Sequence, residues 1–162
     1  MNLPTQMAKH FKEVFFGGNW TSVNLKQTVA GITWQHATAT VHGFNNIAAL
    51  VYHINYYVSA VKNVFEGAVL EAHDKFSFDL PSITSETDWQ NLLDKTFADA
   101  ESFASLVQQF PADIMGEIFV DEKYGTYYRN IHGIIEHTHY HLGQITLIKK
   151  MVFSAGFNAQ SA

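Results

Sequence analysis

The chain has 162 residues, 47% of them hydrophobic and 14% aromatic, enough for one domain with a buried core and too few for a second. Its formal net charge is −5, it has no cysteine, and no basic run occurs. Disulfides, thiolate metal sites and a cysteine nucleophile are excluded, and neither nucleic acid nor an anionic membrane suits such a surface. Nine histidines direct the search for chemistry to imidazole. The opening Met1-Asn-Leu-Pro-Thr-Gln lacks the charged start and apolar core of a signal peptide. No apolar run approaches the ~20 residues of a membrane span. The expectation is a soluble, cytoplasmic protein formed as a single domain over 1–162.

Residues 3–16 predict a first helix, with Pro4 in its opening turn and Met7, Phe11, Val14 and Phe15 on one side. Gly17-Gly18-Asn19 stops it. Residues 20–32 predict a second helix capped by Thr21 or Ser22, and 33–44 read as a connection. Asn45 or Asn46 opens the next helix, over 46–66, where Leu50, Ile54, Tyr57, Val61 and Phe65 recur at helical spacing. Residues 67–85, with Pro81, have no helical period. That break exceeds a tight helix–helix turn and is long enough to cross a bundle and join two parallel neighbours.

Ser85-Glu86-Thr87-Asp88 opens a further helix with capping and early acidic residues, and Phe110-Pro111 halts it. Residues 112–125 hold a short extended piece at Glu117–Asp121. A last helix spans about 126–153, and the tail beyond it is expected to fray. Four principal helices with almost no strand predict an all-α four-helix bundle.

The stretch Ile134-Ile-Glu-His-Thr-His-Tyr-His-Leu-Gly-Gln-Ile145 carries the chemistry. His137 and His141 lie four residues apart, about 40° of rotation, so they leave one helix face a turn apart. Ile131, Ile134, Ile145 and Ile148 fall on the same face, which makes it the inward one. His53 shares a face with Leu50 and Tyr57 in the middle of another inward helix. A lone histidine on an apolar face is more often a hydrogen-bonded core residue than a ligand. Three near the middle of facing helices fit a shared metal ion, because bundles build metal sites this way and neutral imidazole is a common ligand.

Rival motifs fail. A His-Glu-x-x-His protease needs glutamate where Thr138 stands, and Glu136 with His139 forms only one of the two Glu-x-x-His pairs of a di-iron site. Both those residues fall opposite the 137/141 face and read as surface. His10, His36, His42 and His73 read as solvated, and Gln144 as a polar contact with no special role. The abundant aromatics fit the core and a homodimer interface.

Two longer blocks then resemble a known family. Phe44-Asn-Asn-Ile-Ala-Ala-Leu-Val-Tyr-His-Ile54 and the segment from Tyr127 to Ile145, ending His-Leu-Gly-Gln-Ile, are similar to the two histidine helices of the DinB-like family, also called YfiT-like metalloenzymes. Phe76–Trp89 is similar to its connection and third-helix start. The resemblance implies an up-down-down-up bundle with one long crossover. It further implies a divalent metal, zinc or nickel, held by His53, His137 and His141 with water completing the shell. Members with known activity are S-transferases or isomerases that use a low-molecular-weight thiol. Such transferases often carry Arg after the last histidine, where this chain has Leu142. The alternative is a non-enzymatic metal- or ligand-binding bundle with a sensing or assembly role.

Overall fold

Capping residues and apolar stripes set where each helix begins and which face it buries. A computed structural model of the chain describes residues 1–154; the expected fraying of the tail concerns residues outside that range. Helix α1 (Leu3–Phe16) starts on Asn2, whose side chain accepts the Thr5 amide at 3.0 Å. It buries Met7, Phe11, Val14 and Phe15. It stops at Gly17, where φ is +113°, an angle that residues bearing a Cβ resist.

The segment after it departs from the expected helix over 20–32. Buried Asn19 donates through Nδ2 to the carbonyls of Glu13 and Val23, at 3.0 and 2.7 Å, and folds the chain into a turn. Helix α2 (Leu25–Val29) begins only after that turn, and its cap is Asn24 instead of Thr21 or Ser22. Asparagine caps as well as serine or threonine, so the turn made by Asn19 decides the start. Helix α3 (Trp34–Thr38), capped by Thr33, occupies part of the expected plain connection. Both short helices are fastened to the bundle. The Trp89 indole donates to the Ile32 carbonyl at 2.8 Å, and Lys149 Nζ donates to the Thr28 and Ala30 carbonyls at 2.7 and 3.1 Å.

Three long helices complete the chain: α4 (Ile47–Phe65) capped by Asn46, α5 (Glu86–Gln109) capped by Ser85, and α6 (Tyr127–Ser154). Their contacts give their directions. Phe11 meets Phe103 and Phe16 meets Phe97, with ring centroids 5.0 and 5.8 Å apart, so α1 and α5 are antiparallel. Along α4 and α5, Asn55 and Ser59 bond Asp99 while Phe65 packs on Phe103, so these two are parallel. His53 meets His141, and Phe65 meets Tyr127, so α4 and α6 are antiparallel. The result is an all-α, up-down-down-up four-helix bundle.

The parallel α4–α5 pair requires the connection 66–85 to run the length of the bundle. It lies against α4, where the Tyr56 hydroxyl accepts from the His73 amide at 2.8 Å and Tyr57 donates to Asp74 Oδ1 at 2.7 Å. The extended piece expected at Glu117–Asp121 is reduced to one isolated antiparallel bridge, Ile118 to Thr126, between single-turn 3₁₀ segments. Among the described residues no helix is long and apolar enough to cross a membrane.

One buried carboxylate fixes the α4–α5 register. Asp99, 8% exposed, accepts from Asn55 and Ser59 of α4 and pairs with Lys62 of α4 at 3.0 Å and with Lys95 of its own helix. Burial opposes its charge, but the bonds from Lys95, Lys62, Ser59 and Asn55 outweigh that and hold its pKa at about 2. An unfolded aspartate titrates near ~3.9. The depressed value therefore adds stability that is complete above that pH and is lost as pH falls towards 2. Asp99→Asn is expected to lose about 1–3 kcal/mol at pH 7. In urea titrations the gap from wild type should narrow between pH 4 and pH 2; a constant gap would show that the carboxylate charge is not the stabilising element.

Candidate metal centre

Antiparallel α4 and α6 place the middles of their buried faces side by side, and this brings the three sequence-predicted histidines together. His53 comes from α4, and His137 and His141 from successive turns of α6. Their ring centroids are 4.4 to 4.9 Å apart. The nitrogens converge more tightly: His137 Nε2 is 3.0 Å from His53 Nε2 and 3.1 Å from His141 Nε2. One ligand atom from each of the three lies within 4.8 Å of the others.

Hydrogen bonds behind the rings orient two of them. His53 Nδ1 is 3.2 Å from the Ser77 carbonyl, and His141 Nδ1 is 2.7 Å from the Gln144 side-chain amide. A backbone carbonyl only accepts, so His53 Nδ1 carries the proton and its Nε2 presents a bare lone pair. With either tautomer of His141, a single ring proton satisfies only one of the two contacts at His137 Nε2. His137 Nδ1 is itself buried without a partner. A proton cannot satisfy this arrangement, whereas a cation can accept all three lone pairs.

The spacing suits that role. Two ligands at Zn–N distances and a tetrahedral angle lie about 3.3–3.4 Å apart, within a few tenths of an ångström of the two separations from His137 Nε2. Charge state agrees as well. Burial, followed by the neighbouring charges of His141 and His53, pushes His137 down to about 4. Burial likewise lowers His53 and His141. All three imidazoles are neutral at pH 7, the form that binds a metal ion.

Residues that the sequence reading passed over complete the surround. Ser77, from the crossover, orients His53, and Phe78 beside it stacks on the same ring at a centroid distance of 4.0 Å. Nothing in the local sequence marks these two, because the crossover is irregular. Gln144 orients His141 and is more than an idle polar contact; its place three residues on, over the next turn of the same face, was the available signal. Tyr57, one turn after His53, packs edge-on against His53 and His137 at 5.1 and 5.0 Å. Burial, then its bond to Asp74, raises its pKa to about 12, so it stays a neutral hydroxyl.

The other histidines stand apart from this cluster. His139 does point away from the 137/141 face, but it is half-buried against α1, 6.3 Å from the His10 ring, and its Nε2 is enclosed without a partner. The wheel angle was right and the surface reading was not, because α1 covers that side of α6. His36 is also half-buried, against Phe153. His132 lies 3.5 Å from Glu136 at the surface. Comparison of the chain with protein-family models, curated proteins and solved structures finds no match.

Ligand and scaffold are separable by mutation. His137→Ala and His141→Ala should each lose most bound metal, since two protein donors remain, while His139→Ala should keep wild-type metal content. Gln144→Leu should weaken metal affinity by about 10–100-fold, the usual effect of removing a hydrogen bond behind a ligand. Metal stoichiometry and circular dichroism on the four purified variants provide the check. Loss of metal from His139→Ala with retention in His137→Ala would place the site on the wrong face of α6.

Proposed function

We propose that the chain is a single metal-binding domain of the DinB-like kind, holding zinc or nickel through Nε2 of His53, His137 and His141. The observation that carries this reading is the convergence of three Nε2 atoms, with the His53 tautomer fixed by a backbone carbonyl, on contacts that a single ring proton cannot all satisfy. A three-histidine donor set leaves a coordination position open, the arrangement of catalytic and not of structural sites. A divalent ion held there supplies Lewis acidity, lowering the pKa of a water or thiol brought to that open position.

The chain's own residues prepare the position. Ser77 and Gln144 hold the rings in one orientation, so little reorganisation accompanies binding. Phe78 covers one face of His53, and Tyr57 keeps an uncharged edge against two of the ligands. No cysteine is present, so a thiol nucleophile has to arrive as a cosubstrate. The activity that fits is a metal-dependent S-transferase using a low-molecular-weight thiol. Leu142, 2% exposed and turned into the core, supplies no cationic handle for such a thiol. That residue favours a second reading, a non-enzymatic metal-binding bundle.

Protein purified without an affinity tag is expected to carry about one zinc or nickel ion per chain. Its melting temperature at pH 7.5 should fall once a chelator has removed the ion. Equal melting temperatures with removal confirmed, together with substoichiometric metal, would sink the metal reading. Cobalt-substituted protein then separates the two roles. A change in its visible spectrum on titration with a small thiol supports the transferase, and an unchanged spectrum supports the non-enzymatic bundle.

A further inference from the structure

Two histidines of the cluster, His53 and His137, line a cavity of about 530 Å³ between α4, α6 and the connections that cover them, a size suited to a small organic ligand. Val61, Leu70, Phe119 and Ile134 supply the apolar part of its lining. Two carboxylates reach it: Asp74, which accepts from Tyr57 at 2.7 Å, and the exposed Glu136, 3.5 Å from His132 Nδ1. Two cations also reach it, Lys123 and Arg129, and neither forms an ion pair with a carboxylate among the described residues.

Arg129 is the only arginine in a chain of net charge −5. Its position is built. The bridge between Ile118 and Thr126 and the bonds from Asn130 Nδ2 to the Tyr124 and Thr126 carbonyls, at 3.0 and 2.8 Å, hold the turn that precedes α6. Gly125 in that turn has φ +73°, and a Cβ there would fall 2.5 Å from Arg129 Cδ. The arginine stem thus lies across the one residue that leaves room for it. On α6, Arg129 precedes His137 by just over two turns, about 12 Å along the axis. One cavity lining therefore carries Arg129 and Lys123, the imidazoles of His53 and His137, and the apolar side chains of Val61, Leu70, Phe119 and Ile134.

We propose that this cavity takes an elongated organic anion. Arg129 and Lys123 hold its carboxylate or phosphate head, its apolar stem lies among Val61, Leu70 and Ile134, and its far end is presented to His53 and His137 of the histidine cluster. The inference builds on the metal reading by naming the class of molecule that reaches the site. Arginine is suited to the head group because its planar fork pairs with two oxygens of either anion. The apolar stem replaces water along the cavity, and the reacting group would sit at the end remote from the charge. An uncharged molecule of the same length lacks the head-group contact, and a short anion lacks the reach.

The test is calorimetric titration of chelator-treated protein with octanoate, octyl phosphate and octanol. Octanoate or octyl phosphate should bind roughly fivefold or more tightly than octanol, about what one screened ion pair supports. Whichever of the two binds better identifies the head group. The anion's advantage should disappear in Lys123→Gln/Arg129→Gln, with octanol binding unchanged. Gly133→Leu serves as the site control: Gly133 lines the cavity, a Cβ there meets nothing within 4 Å, and leucine is the better helix former. That variant should fold as wild type, verified by circular dichroism, and lose all three ligands. Equal affinity for anions and octanol, an anion preference that survives the double substitution, or undiminished binding in Gly133→Leu would each overturn the proposal. Because metal is removed throughout, these results judge the cationic pair alone; metal stoichiometry judges the histidine cluster.

Discussion

Three imidazole nitrogens aimed at one point demand a fixed register between α4 and α6, and much of the bundle serves that register. A slip of one residue along α6 would shift its histidines by about 1.5 Å and turn them by about 100°, enough to disperse the cluster. The register is pinned at both sides of the site. Phe65 against Tyr127 sets one end, at a centroid distance of 5.3 Å, and the fully buried Ile54, Ile131 and Ile145 lie in the shared core around the histidines. Apolar packing and the polar bonds around it bring the rings together. An ion would find its ligands assembled, with burial already holding them in the neutral form.

The direction of the helices decides what else can reach the site. Because α4 and α5 are parallel, the chain between them has to travel back along the bundle, and it does so over the open side of α4. That path delivers Ser77 and Phe78 to His53 and sets Asp74 against Tyr57. A hairpin-connected bundle with the same histidines would have no backbone carbonyl there to fix the His53 tautomer. The Asp99 cluster acts from the other side: it locks α4 to α5 by three polar residues of α4 and so holds the face that carries His53. The cost of burying that carboxylate is offset by two ammonium groups and two neutral donors.

The parts legible in the sequence were those written in periodic apolar positions and strong stop signals. Helices α1, α4, α5 and α6 fall within a residue or so of their expected bounds because Pro4, Gly17, Asn46, Ser85 and Pro111 mark them chemically. The wheel positions of His53, His137 and His141 followed from the same periodicity, and their convergence needed only that two inward faces meet. Contacts made by irregular chain were illegible. Ser77 acts through its backbone carbonyl, which no side-chain pattern encodes. Asn19 shortened the second helix by bonding two carbonyls from a turn that reads as generic. His139 was placed on the correct side of its helix, yet its burial depends on α1, a neighbour that a single helical wheel does not contain.

The distribution of charge around the cluster bears on what chemistry the site can support. The histidine cluster has no net charge: three neutral imidazoles, a neutral Tyr57 hydroxyl and the carbonyls behind the rings. Fixed carboxylates near a metal ion would neutralise it and weaken its pull on a bound water or thiol, whereas neutral nitrogen donors leave its charge unreduced. The nearest acid, Asp74, is turned to Tyr57 and holds that hydroxyl proton in place. The cations Lys123 and Arg129 line the same cavity, where separation limits their repulsion of a bound ion. With an ion held by the histidines, positive charge would stand both there and at Lys123 and Arg129, with Val61, Leu70 and Ile134 on the same cavity lining. That arrangement selects for a molecule carrying an anionic head at one end and a group able to donate a lone pair at the other.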